Sequence, residues 1–549
     1  MTERSELSEL AKRRGFFFAS NEAYGGTAGF YTYGPEGAAL KRNVEAIWRD
    51  RFVRAMGHME LEAPTVVPEA VFEASLVVDH DVTCPSCGAP LADQPVEEFN
   101  LMFGTNIGPG SSSPGYLRPE TAQGIFVEFP RLKEYAHNQL PFGVAQVGRA
   151  YRNEIAPRRA LVRVREFTQA ELEHFVDPEY DDPPLDDVAD VELPLYSAEA
   201  QQADDGGNET YTVREAVESG VVGSDWIAYY LGESLSFYER IGVDMDRFRY
   251  RQHRPGELSH YAADCWDAET ELGGDWIEVT GFAYRSDYDL RKHAEYSEEA
   301  FTVFRQYDEP KTVERATVDP DMSYLGPTFG DAAADVVDAL ESLAARDRSA
   351  FESEPPGGSA EPGGDETRHG DAVTVEVGED SYTLPVEKTG FTVEERTESG
   401  EHVTPHVVEP SFGVGRLVYS VLVHRHGTDE VDGEERGYLA LPAEVAPTTV
   451  AVVPLMRKDG LDDRARAVAA SLREAGLEVT YDDTGNIGRR YRRQDEVGTP
   501  YCVTVDYDTL EDDTVTVRER DSTDQTRVAI DELPAAIDRL VGGASLAAL

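Results

Sequence analysis

The stretch from residue 141 to residue 175 carries the residue types that a nucleotide-binding site requires. It reads PFGVAQVGRAYRNEIAPRRALVRVREFTQAELEHF, in which two extended runs flank a loop that contains Pro157. Because side chains alternate across a strand, we expect the first run to present Arg152 and Glu154 on one face. One face of the second run is expected to present Arg163, Arg165, Phe167, Gln169 and Glu171. An antiparallel hairpin would bring these arginines, carboxylates and the aromatic ring together.

These side chains match the chemistry of a nucleotide. A guanidinium group can bind a phosphate through two parallel hydrogen bonds, a phenyl ring can stack on a base, and a carboxylate can accept a hydrogen bond from an amine or ammonium group. The alternative is a solvated hairpin in a highly charged protein, because alternating charge is common on antiparallel sheets with one open face. Alternation alone does not separate the two interpretations.

A second segment, residues 407–422, favours the nucleotide interpretation. Its sequence, VVEPSFGVGRLVYSVL, predicts a strand with Glu409 and Ser411 on one face, followed by an apolar helix that begins near the G-x-G sequence. Arg416 falls in the first turn of that helix, where its charge opposes the helix dipole. A phosphate shared between Arg416 and the free backbone amides would remove this cost. A single G-x-G-R pattern is weak evidence, and the alternative is a surface arginine.

Together these segments resemble the second and third signature motifs of class II aminoacyl-tRNA synthetases, and the preceding helix with Pro64 resembles the first. Four segments resemble the glycyl-tRNA synthetases of the archaeal and eukaryotic dimeric type: YGGTAGFYTYGPEGAALKRN (24–43), YLRPETAQGIFVEF (116–129), WIEVTGFAYRSDYDL (276–290) and EPSFGVGR (409–416). The resemblance covers most of the chain apart from residues 176–250 and 330–400. It implies an α+β catalytic domain built on an antiparallel sheet, with insertions, and a C-terminal α/β anticodon-binding domain.

The resemblance implies an ATP site that also uses Mg²⁺. Arg152 would bind the α-phosphate and the carboxylate of the amino acid, Glu154 would orient adenine, and Phe167 would stack on the base. Arg416, the second catalytic residue beside Arg152, would hold the γ-phosphate, and Glu278 would lie where Mg²⁺ bridges the phosphates. The implied nucleotide-site residues are Arg152, Asn153, Glu154, Val162, Arg163, Val164, Arg165, Glu166, Phe167, Glu278, Val279, Gly413, Val414, Gly415 and Arg416.

A glycine site rich in carboxylates is implied as well. A substrate without a side chain offers an ammonium group, a carboxylate and α-hydrogens, so carboxylates would bind its ammonium group by charge-assisted hydrogen bonds. Little space would remain for the methyl group of alanine, and overpacking rejects a larger substrate without an editing site. The alternative for each acidic residue taken singly is a satisfied buried carboxylate or a surface charge. The implied residues are Glu120, Phe167, Thr168, Gln169, Ala170, Glu171, Glu409, Pro410, Ser411, Phe412 and Gly413.

The implied reaction is the activation of glycine with ATP to glycyl-adenylate and pyrophosphate, followed by transfer of glycine to the 3′ end of tRNA(Gly). Two alternatives stay open. After Phe72–Ser75 the chain has a shorter segment than the family and lacks the family's Arg-Ala-Asp-His signature, so a non-catalytic tRNA-binding relative is one alternative. A class II synthetase for another amino acid, such as proline, threonine or histidine, is the other, and it predicts a neutral or larger pocket.

The last hundred residues predict a compact α/β domain. Strands at 448–455, 478–482 and 501–506 alternate with a helix at 462–475 and an Arg-rich helix, which predicts a mostly parallel sheet closed by a hairpin strand and a final helix. Single-stranded bases stack on aromatic rings and guanidinium planes, so the Arg-rich helix is expected to contact tRNA. The alternative is a neutralising cluster paired with nearby acids. The residues concerned are Arg489, Arg490, Tyr491, Arg492 and Arg493.

The extent of the family resemblance, together with changes in composition, gives the expected domain boundaries. The catalytic domain is expected in three parts, followed by an anticodon-binding domain at 446–549. Two insertions separate these parts, and the second contains a low-complexity segment at 351–370. The family resemblance and the predicted helix at 34–57 imply a homodimer. The catalytic parts are 1–175, 251–329 and 401–445, and the insertions are 176–250 and 330–400.

The charge of the chain limits its partners. With 105 acidic and 51 basic residues, its 549 residues carry a formal charge of −54. Such a charge repels phosphate at long range, so the composition disfavours unselective binding to DNA or anionic membranes, and a tRNA must meet local basic sites. Seven of the basic residues are lysine. A lysine-poor acidic surface is typical of a halophilic protein, because concentrated salt screens charge repulsion.

The cysteines argue against a disulfide scaffold. Cys84 and Cys87 have the C-x-x-C spacing of half a zinc site, but the sequence contains no second such pair. Cys265 and Cys502 fall in unrelated segments, so the sequence favours a turn over bound zinc. Four cysteines in so long a chain, no apolar run of membrane-spanning length and no secretory signal predict a cytoplasmic protein without a membrane partner.

Overall fold

The chain folds into two compact units, Phe304–Val403 and the remainder of the chain. This computed structural model describes residues 3–75, 102–109, 113–157, 159–203, 206–257, 264–297, 299–351, 368–369, 372–377, 380–431 and 433–549. In these ranges no helix is both long and apolar enough to cross a membrane.

A large sheet dominates the first unit and confirms the predicted antiparallel architecture. Among the described residues it has nine strands, and each central pairing is antiparallel. The two parallel pairings lie toward the edges. The strands of this central sheet, in spatial order, are Glu209–Thr212, Glu192–Tyr196, Phe248–Gln252, Asp264–Leu272, Asp275–Ser286, His406–Gly413, Glu166–Val176, Phe142–Tyr151 and Met59–Glu60.

Apolar helices cover one face of the central sheet. The predicted helix at 34–57 forms as Pro35–Arg49, with proline at its first turn, and continues as the π-helix Asp50–Ala55. Its apolar side packs on the sheet, where the ring of Phe52 lies 4.9 Å from the ring of Phe412. The other helices of this layer are Asp225–Ile241 and Val414–Arg425.

The predicted insertion at 176–250 is integrated into this sheet. Three of its strands extend the sheet edge, and helix Asp225–Ile241 buries Tyr230 and Tyr238 in the main core. The segment differs from a surface insertion because its apolar side chains complete the core. Further elements of the unit are Glu3–Arg14, Phe17–Ala19, Tyr31–Tyr33, Val66–Pro68, Glu69–Ser75, Phe103–Ile107, Ser113–Leu117, Gln123–Phe126, Phe129–Tyr135, Val213–Glu218, Tyr288–Ser297, His426–Val431 and Glu434–Leu439.

The second unit has its own core. The long strands Val303–Thr317 and Thr392–Val403 pair with each other, so this unit begins well before the expected boundary at 330. Val336, Leu340 and Leu384 are buried together in its interior. Residues 352–367 of the low-complexity segment lie outside the described residues. The remaining elements are helices Met322–Phe329 and Ala333–Arg346 and strands Arg368–His369, Ala372–Val377 and Asp380–Pro385.

The C-terminal domain is α/β, but its sheet is mixed rather than mostly parallel. Its first three strands pair in parallel, and two further strands, where a single hairpin strand was expected, add antiparallel pairings. Its helices are Leu461–Glu474, Ile487–Val497, Thr509–Asp512 and Leu533–Val541. Its strands, in spatial order, are Val479–Tyr481, Val450–Pro454, Tyr501–Val505, Thr514–Glu519 and Gln525–Ala529.

A buried ion network joins this domain to the catalytic part of the same unit. Asp495, in helix Ile487–Val497, is 1 % exposed and accepts two hydrogen bonds from Arg518, at 2.9 and 3.2 Å. Arg436, from strand Glu434–Leu439, donates to Asp495 at 3.3 Å and to the carbonyl oxygen of Arg520 at 2.7 Å. One carboxylate therefore balances arginines from both sides of the junction.

We predict that Asp495→Asn destabilises this junction. Removing one partner of a buried ion pair costs about 3–5 kcal/mol, because the remaining charge stays buried. Here Arg518 would lose its carboxylate partner, whereas Arg436 would keep Asp429. The expected result is a thermal unfolding midpoint several degrees below that of the unsubstituted protein. The exposed Asp531 supplies the control Asp531→Asn, which should leave the midpoint unchanged. Equal midpoints for the two variants would contradict the network's contribution to stability.

Candidate functional site

The face of the central sheet opposite this helix layer forms the floor of a cleft. Strand pairing places Asp267, Gly281, Ser411 and Glu171 opposite one another across four adjacent strands. Directly opposed residues point to the same face of a sheet, so these side chains share the cleft floor. Gly281, Ser411 and Glu171 line the cleft, and Asp267 lies directly opposite Gly281 on the next strand. The expected carboxylates at Glu171 and Glu409 therefore reach the same space from different strands.

Glu171 lies at the centre of a hydrogen-bonded group on this floor. Its Oε1 accepts hydrogen bonds from the Ser411 hydroxyl and from Gln169 Nε2, both at 2.6 Å. Its Oε2 accepts one from the backbone amide of Thr121, at 2.9 Å. Burial, reinforced by the nearby charge of Glu120, raises the pKa of Glu171. The group is positioned to accept hydrogen bonds from a small cation above it.

Glu409 lies beside this group and is held by an arginine that the sequence analysis did not assign. Arg285 Nη1 donates to Glu409, and Arg285 also binds both oxygens of Asp289, at 2.7 and 2.8 Å. Burial raises the pKa of Glu409 to about 7, although Arg285 opposes the shift. Arg285 lies within segment 276–290, which carries part of the family resemblance. The alternation of side chains along strand Asp275–Ser286 was the sequence signal that could have placed Arg285 on the cleft face.

Glu173 is a further acid that the sequence analysis missed. It is fully buried, and neither of its carboxylate oxygens has a hydrogen-bond partner among the residues that the structure describes. Burial raises its pKa well above the usual range, and the charge of Glu409 adds to the effect. Its position two residues after Glu171 on the same strand face was the sequence signal. This end of the cleft therefore contains carboxyl groups whose protonated form is favoured by burial.

Arginines and an aromatic ring form the other end of the cleft. The guanidinium group of Arg152 lies 5.5 Å from the centre of the Phe167 ring, and its Nε donates to the carbonyl oxygen of Pro119 at 3.1 Å. Glu154 forms an ion pair with Arg163 at 2.6 Å. Arg152, Glu154 and Arg163 were expected on strands, but the first strand ends at Tyr151 and the second begins at Glu166. Phe167 lies on the second strand.

The loop between those strands is held by Arg165. Its Nη2 donates to the carbonyl oxygen of Glu154 at 2.9 Å, and its Nη1 donates to that of Ala28 at 2.8 Å. A loop anchored in this way can direct Arg152 and Arg163 toward the cleft without strand pairing. Side chains alternate only along a paired strand, so the expected alternation does not extend to the residues of this loop.

Arg416 approaches the same cleft from helix Val414–Arg425, as expected for the first turn of that helix. Its Nη1 donates to the backbone carbonyl oxygen of Glu278 at 2.8 Å and lies 3.2 Å from the carboxylate of that residue. Its Nε donates to the carbonyl oxygen of Val162 at 3.2 Å. Guanidinium groups from two distant segments, Arg152 and Arg416, thus face one cavity of about 260 Å³.

The cleft contains most, but not all, of the expected residues. Ala170 and Phe412 are fully buried on the opposite face of the sheet, within the core, because they alternate with cleft residues. The lining includes Glu120, Arg152, Glu154, Val162, Arg163, Val164, Phe167, Thr168, Gln169, Glu171, Glu278, Val279, Glu409, Ser411, Gly413, Gly415 and Arg416. The expected residues outside this lining are Asn153, Arg165, Glu166, Ala170, Pro410, Phe412 and Val414.

The Arg-rich helix of the C-terminal domain is divided between structural and exposed positions. Arg490 is buried and donates to the carbonyl oxygens of Asp483 and Gly485, at 2.7 Å each, so it is a structural residue rather than a tRNA contact. Arg493 pairs with Asp482 at 2.6 Å. Arg492 donates to the carbonyl oxygen of Glu435, the Tyr491 hydroxyl pairs with Thr504, and Arg489 is exposed.

The possible zinc ligands Cys84 and Cys87, and the shortened segment after Ser75, lie outside the described residues.

Family comparisons agree with this geometry. Residues 112–425 match the tRNA synthetase class II core domain (G, H, P, S and T), and residues 449–540 match the anticodon binding domain. A glycine–tRNA ligase from Methanothrix thermoacetophila is 43 % identical, covering 98 % of this chain and 97 % of that protein. The chain belongs to the glycine–tRNA ligase family of class II synthetases. The glycine–tRNA ligase from Archaeoglobus fulgidus is 42 % identical, covering 98 % of this chain and 97 % of that protein. The one from Pyrococcus furiosus is 41 % identical, covering 98 % of this chain and 99 % of that protein.

Solved structures support the family's fold. A prolyl-tRNA synthetase from Cryptosporidium parvum, complexed with L-proline and AMP, aligns with 98 % of this chain and 77 % of its own at a TM-score of 0.54. The same enzyme complexed with halofuginone and AMPPNP aligns with 99 % and 78 % at a TM-score of 0.56. Both are 12 % identical to this chain, so the likeness concerns the fold.

The unpartnered acid Glu173 generates a pH prediction. Its folded-state pKa is raised, so the unfolded chain releases this proton at lower pH, and stability falls as pH rises above the unfolded value of about 4.3. Glu173→Gln carries no such proton. The variant should therefore gain stability relative to the unsubstituted protein between about pH 5 and about pH 8.

Thermal unfolding midpoints at both pH values test this prediction, with Glu192→Gln as the matched control at an exposed strand position. The difference between Glu173→Gln and the unsubstituted protein should grow with pH, whereas the control difference should stay constant. A difference that stays constant or shrinks as pH rises would show that the pKa of Glu173 is not raised in the folded protein.

Proposed function

We propose that this protein is a glycine–tRNA ligase that activates glycine with ATP and transfers it to tRNA(Gly). The observation that carries the proposal is the acidic group around Glu171 and Glu409, which adjoins a cleft lined by Arg152 and Arg416. Membership of the glycine–tRNA ligase family supports the same assignment. A pocket for proline, threonine or histidine would require a neutral or larger space where these buried acids lie.

The arginine end of the cleft would hold ATP. Arg152 would bind the α-phosphate and Arg416 the γ-phosphate, because planar guanidinium groups bind phosphate oxygens through paired hydrogen bonds. Phe167 would stack on adenine, and Glu154 would accept a hydrogen bond from its exocyclic amine. Both arginines already rest on backbone carbonyl oxygens, so little reorganisation would be needed when phosphates replace those contacts.

Mg²⁺ would bind beside Glu278. The carboxylate of Glu278 lies on the cleft rim with about half of its side chain exposed, and Mg²⁺ prefers oxygen ligands that it shares with water and phosphate. The donor type therefore fits the ion. When bound, the ion would neutralise phosphate charge, while Arg152 and Arg416 would fix the orientation of the triphosphate.

Glycine would bind at the acidic end. Its ammonium group would be bound by Glu171 and Glu409 with the Ser411 hydroxyl and Glu120 nearby, leaving its carboxylate directed toward Arg152. In-line attack of that carboxylate on the α-phosphorus would give glycyl-adenylate and release pyrophosphate. Positioning and charge neutralisation would supply most of the rate enhancement, as in other phosphoryl-transfer sites.

The transfer step needs tRNA, and three further features belong to this proposal. The C-terminal domain would bind the anticodon, with Arg489 as the exposed member of its Arg-rich helix. The protein would act as a homodimer, as its family resemblance implies. The formal charge of −54 would make its folding dependent on salt, because at 1 M salt the Debye length is about 3 Å and repulsion is screened.

Glycine-dependent exchange of pyrophosphate into ATP tests the proposal directly. The unsubstituted protein should catalyse exchange with glycine, and Arg152→Ala should lower the rate by about 100-fold or more, because it removes a charged donor at the reacting phosphate. Arg149→Ala is the matched control, since Arg149 lies three residues before Arg152, at the end of the preceding strand, and pairs with Glu166, which does not line the cleft. It should retain nearly full activity.

Three outcomes would overturn the assignment. Binding of tRNA without exchange would identify a non-catalytic relative, and exchange driven by proline, threonine or histidine instead of glycine would identify another specificity. Equal rates for Arg152→Ala and Arg149→Ala would remove Arg152 from the reaction. The assay should be run across a range of salt concentrations, so that loss of folding at low salt is not read as lack of activity.

The pKa of Glu409 predicts how glycine binding depends on pH. An ammonium group binds the carboxylate form of Glu409, whose pKa of about 7 leaves most of it protonated at lower pH. The KM for glycine should therefore fall about tenfold between about pH 6 and about pH 8. In Glu409→Gln the KM should be higher and should lose this dependence. A pH-independent KM in the unsubstituted protein would show that Glu409 does not bind the ammonium group.

A further inference from the structure

A group of three potential metal ligands lies on the cleft wall and takes no part in the proposed reaction. His253 follows strand Phe248–Gln252, and Cys265 and Asp267 lie on the same face of the adjacent strand Asp264–Leu272. The backbone amide of His253 donates to the carbonyl oxygen of Cys265 at 2.9 Å. One ligand atom from each of the three residues lies within 4.8 Å of the other two. Strand pairing thus holds the three side chains together.

The imidazole ring of His253 is oriented for coordination. Its Nε2 is hydrogen-bonded to Asp267 Oδ2 at 2.9 Å. Its Nδ1 is buried and makes no hydrogen bond within the part of the chain that the structure describes. A carboxylate bonded to one ring nitrogen, with the other nitrogen left to bind, is the usual arrangement of a metal-bound histidine.

The donor types select the class of metal. The imidazole nitrogen of His253 and the sulfur of Cys265 suit Zn²⁺ and similar borderline cations, whereas Mg²⁺ prefers oxygen ligands. These two side chains leave the other positions of a tetrahedral zinc ion to water or to a further ligand. His253 and Cys265 both line the cleft, so those positions would face the cleft.

We propose that His253, Cys265 and Asp267 form a binding site for Zn²⁺ or a similar divalent transition metal on the wall of this cleft. His253 Nδ1 and Cys265 Sγ supply the ligand atoms, and Asp267, bonded to His253 Nε2, orients the imidazole. The site is independent of the proposed ligase function, because none of its residues binds glycine or ATP in that proposal.

Metal titration of the full-length protein tests the site. The background carries Cys84→Ser and Cys87→Ser, which removes the other cysteine pair, and all metal is first stripped with a chelator. Zn²⁺ affinity is then measured by competition with a chromophoric chelator, and Co²⁺ serves as a spectroscopic probe for thiolate coordination. One Zn²⁺ per chain and a thiolate-to-cobalt absorption band are expected in this background.

The ligand variants complete the experiment. Cys265→Ser should abolish the thiolate-to-cobalt band, and Asp267→Asn should weaken Zn²⁺ binding by about 10- to 100-fold as a ring-orienting residue. Cys502→Ser, a buried cysteine of the C-terminal domain, is the matched control and should change neither result. If Cys265→Ser fails to fold, His253→Gln supplies the same comparison.

Absence of Zn²⁺ binding in the background protein, or binding that survives both Cys265→Ser and His253→Gln, would overturn the proposal. Glycine-dependent exchange is measured separately on the metal-stripped protein supplied with Mg²⁺. A failure of the ligase proposal and a failure of the zinc proposal therefore give different results.

Discussion

The main constraint on this protein is the concentration of carboxylates on one buried sheet face. Glu171, Glu173 and Glu409 lie close together, and Arg285 is the cation bonded to one of them. Isolated charges of one sign are costly in a low-dielectric interior, so such a group persists through protons, hydrogen bonds and a paired arginine. An arriving ammonium group would replace the protons, which couples substrate binding to the charge balance of the fold.

The antiparallel sheet explains how residues far apart in sequence meet at this point. Glu171 and Ser411 belong to neighbouring strands although 240 positions separate them. The helix that begins at Val414 then carries Arg416 to the opposite end of the same cleft. The covered face of the sheet, with Phe52 and Phe412, provides the packing that keeps these positions fixed.

Much of this arrangement could be predicted from local patterns. Alternation placed Glu409 and Ser411 on one strand face, and the G-x-G sequence located the start of the following helix. The sequence did not show that strands Glu192–Tyr196 and Glu209–Thr212 extend the sheet, since pairing between distant segments leaves little local signal. Arg490 was misassigned to the tRNA surface for a related reason, because an arginine that binds buried carbonyl oxygens has no distinct sequence pattern.

The shared carboxylate of Asp495 has a consequence for how such proteins can be recombined. Arg436 belongs to the catalytic side of the junction and Arg518 to the C-terminal side, and both bind Asp495, although Arg436 is also paired with Asp429 on its own side. A chimera that received a foreign anticodon module without an equivalent acid would leave Arg436 with less counter-charge inside the interface. Exchange of the anticodon module between relatives therefore requires coordinated substitutions on both sides of the junction. The catalytic part and the C-terminal domain are therefore expected to be inherited together.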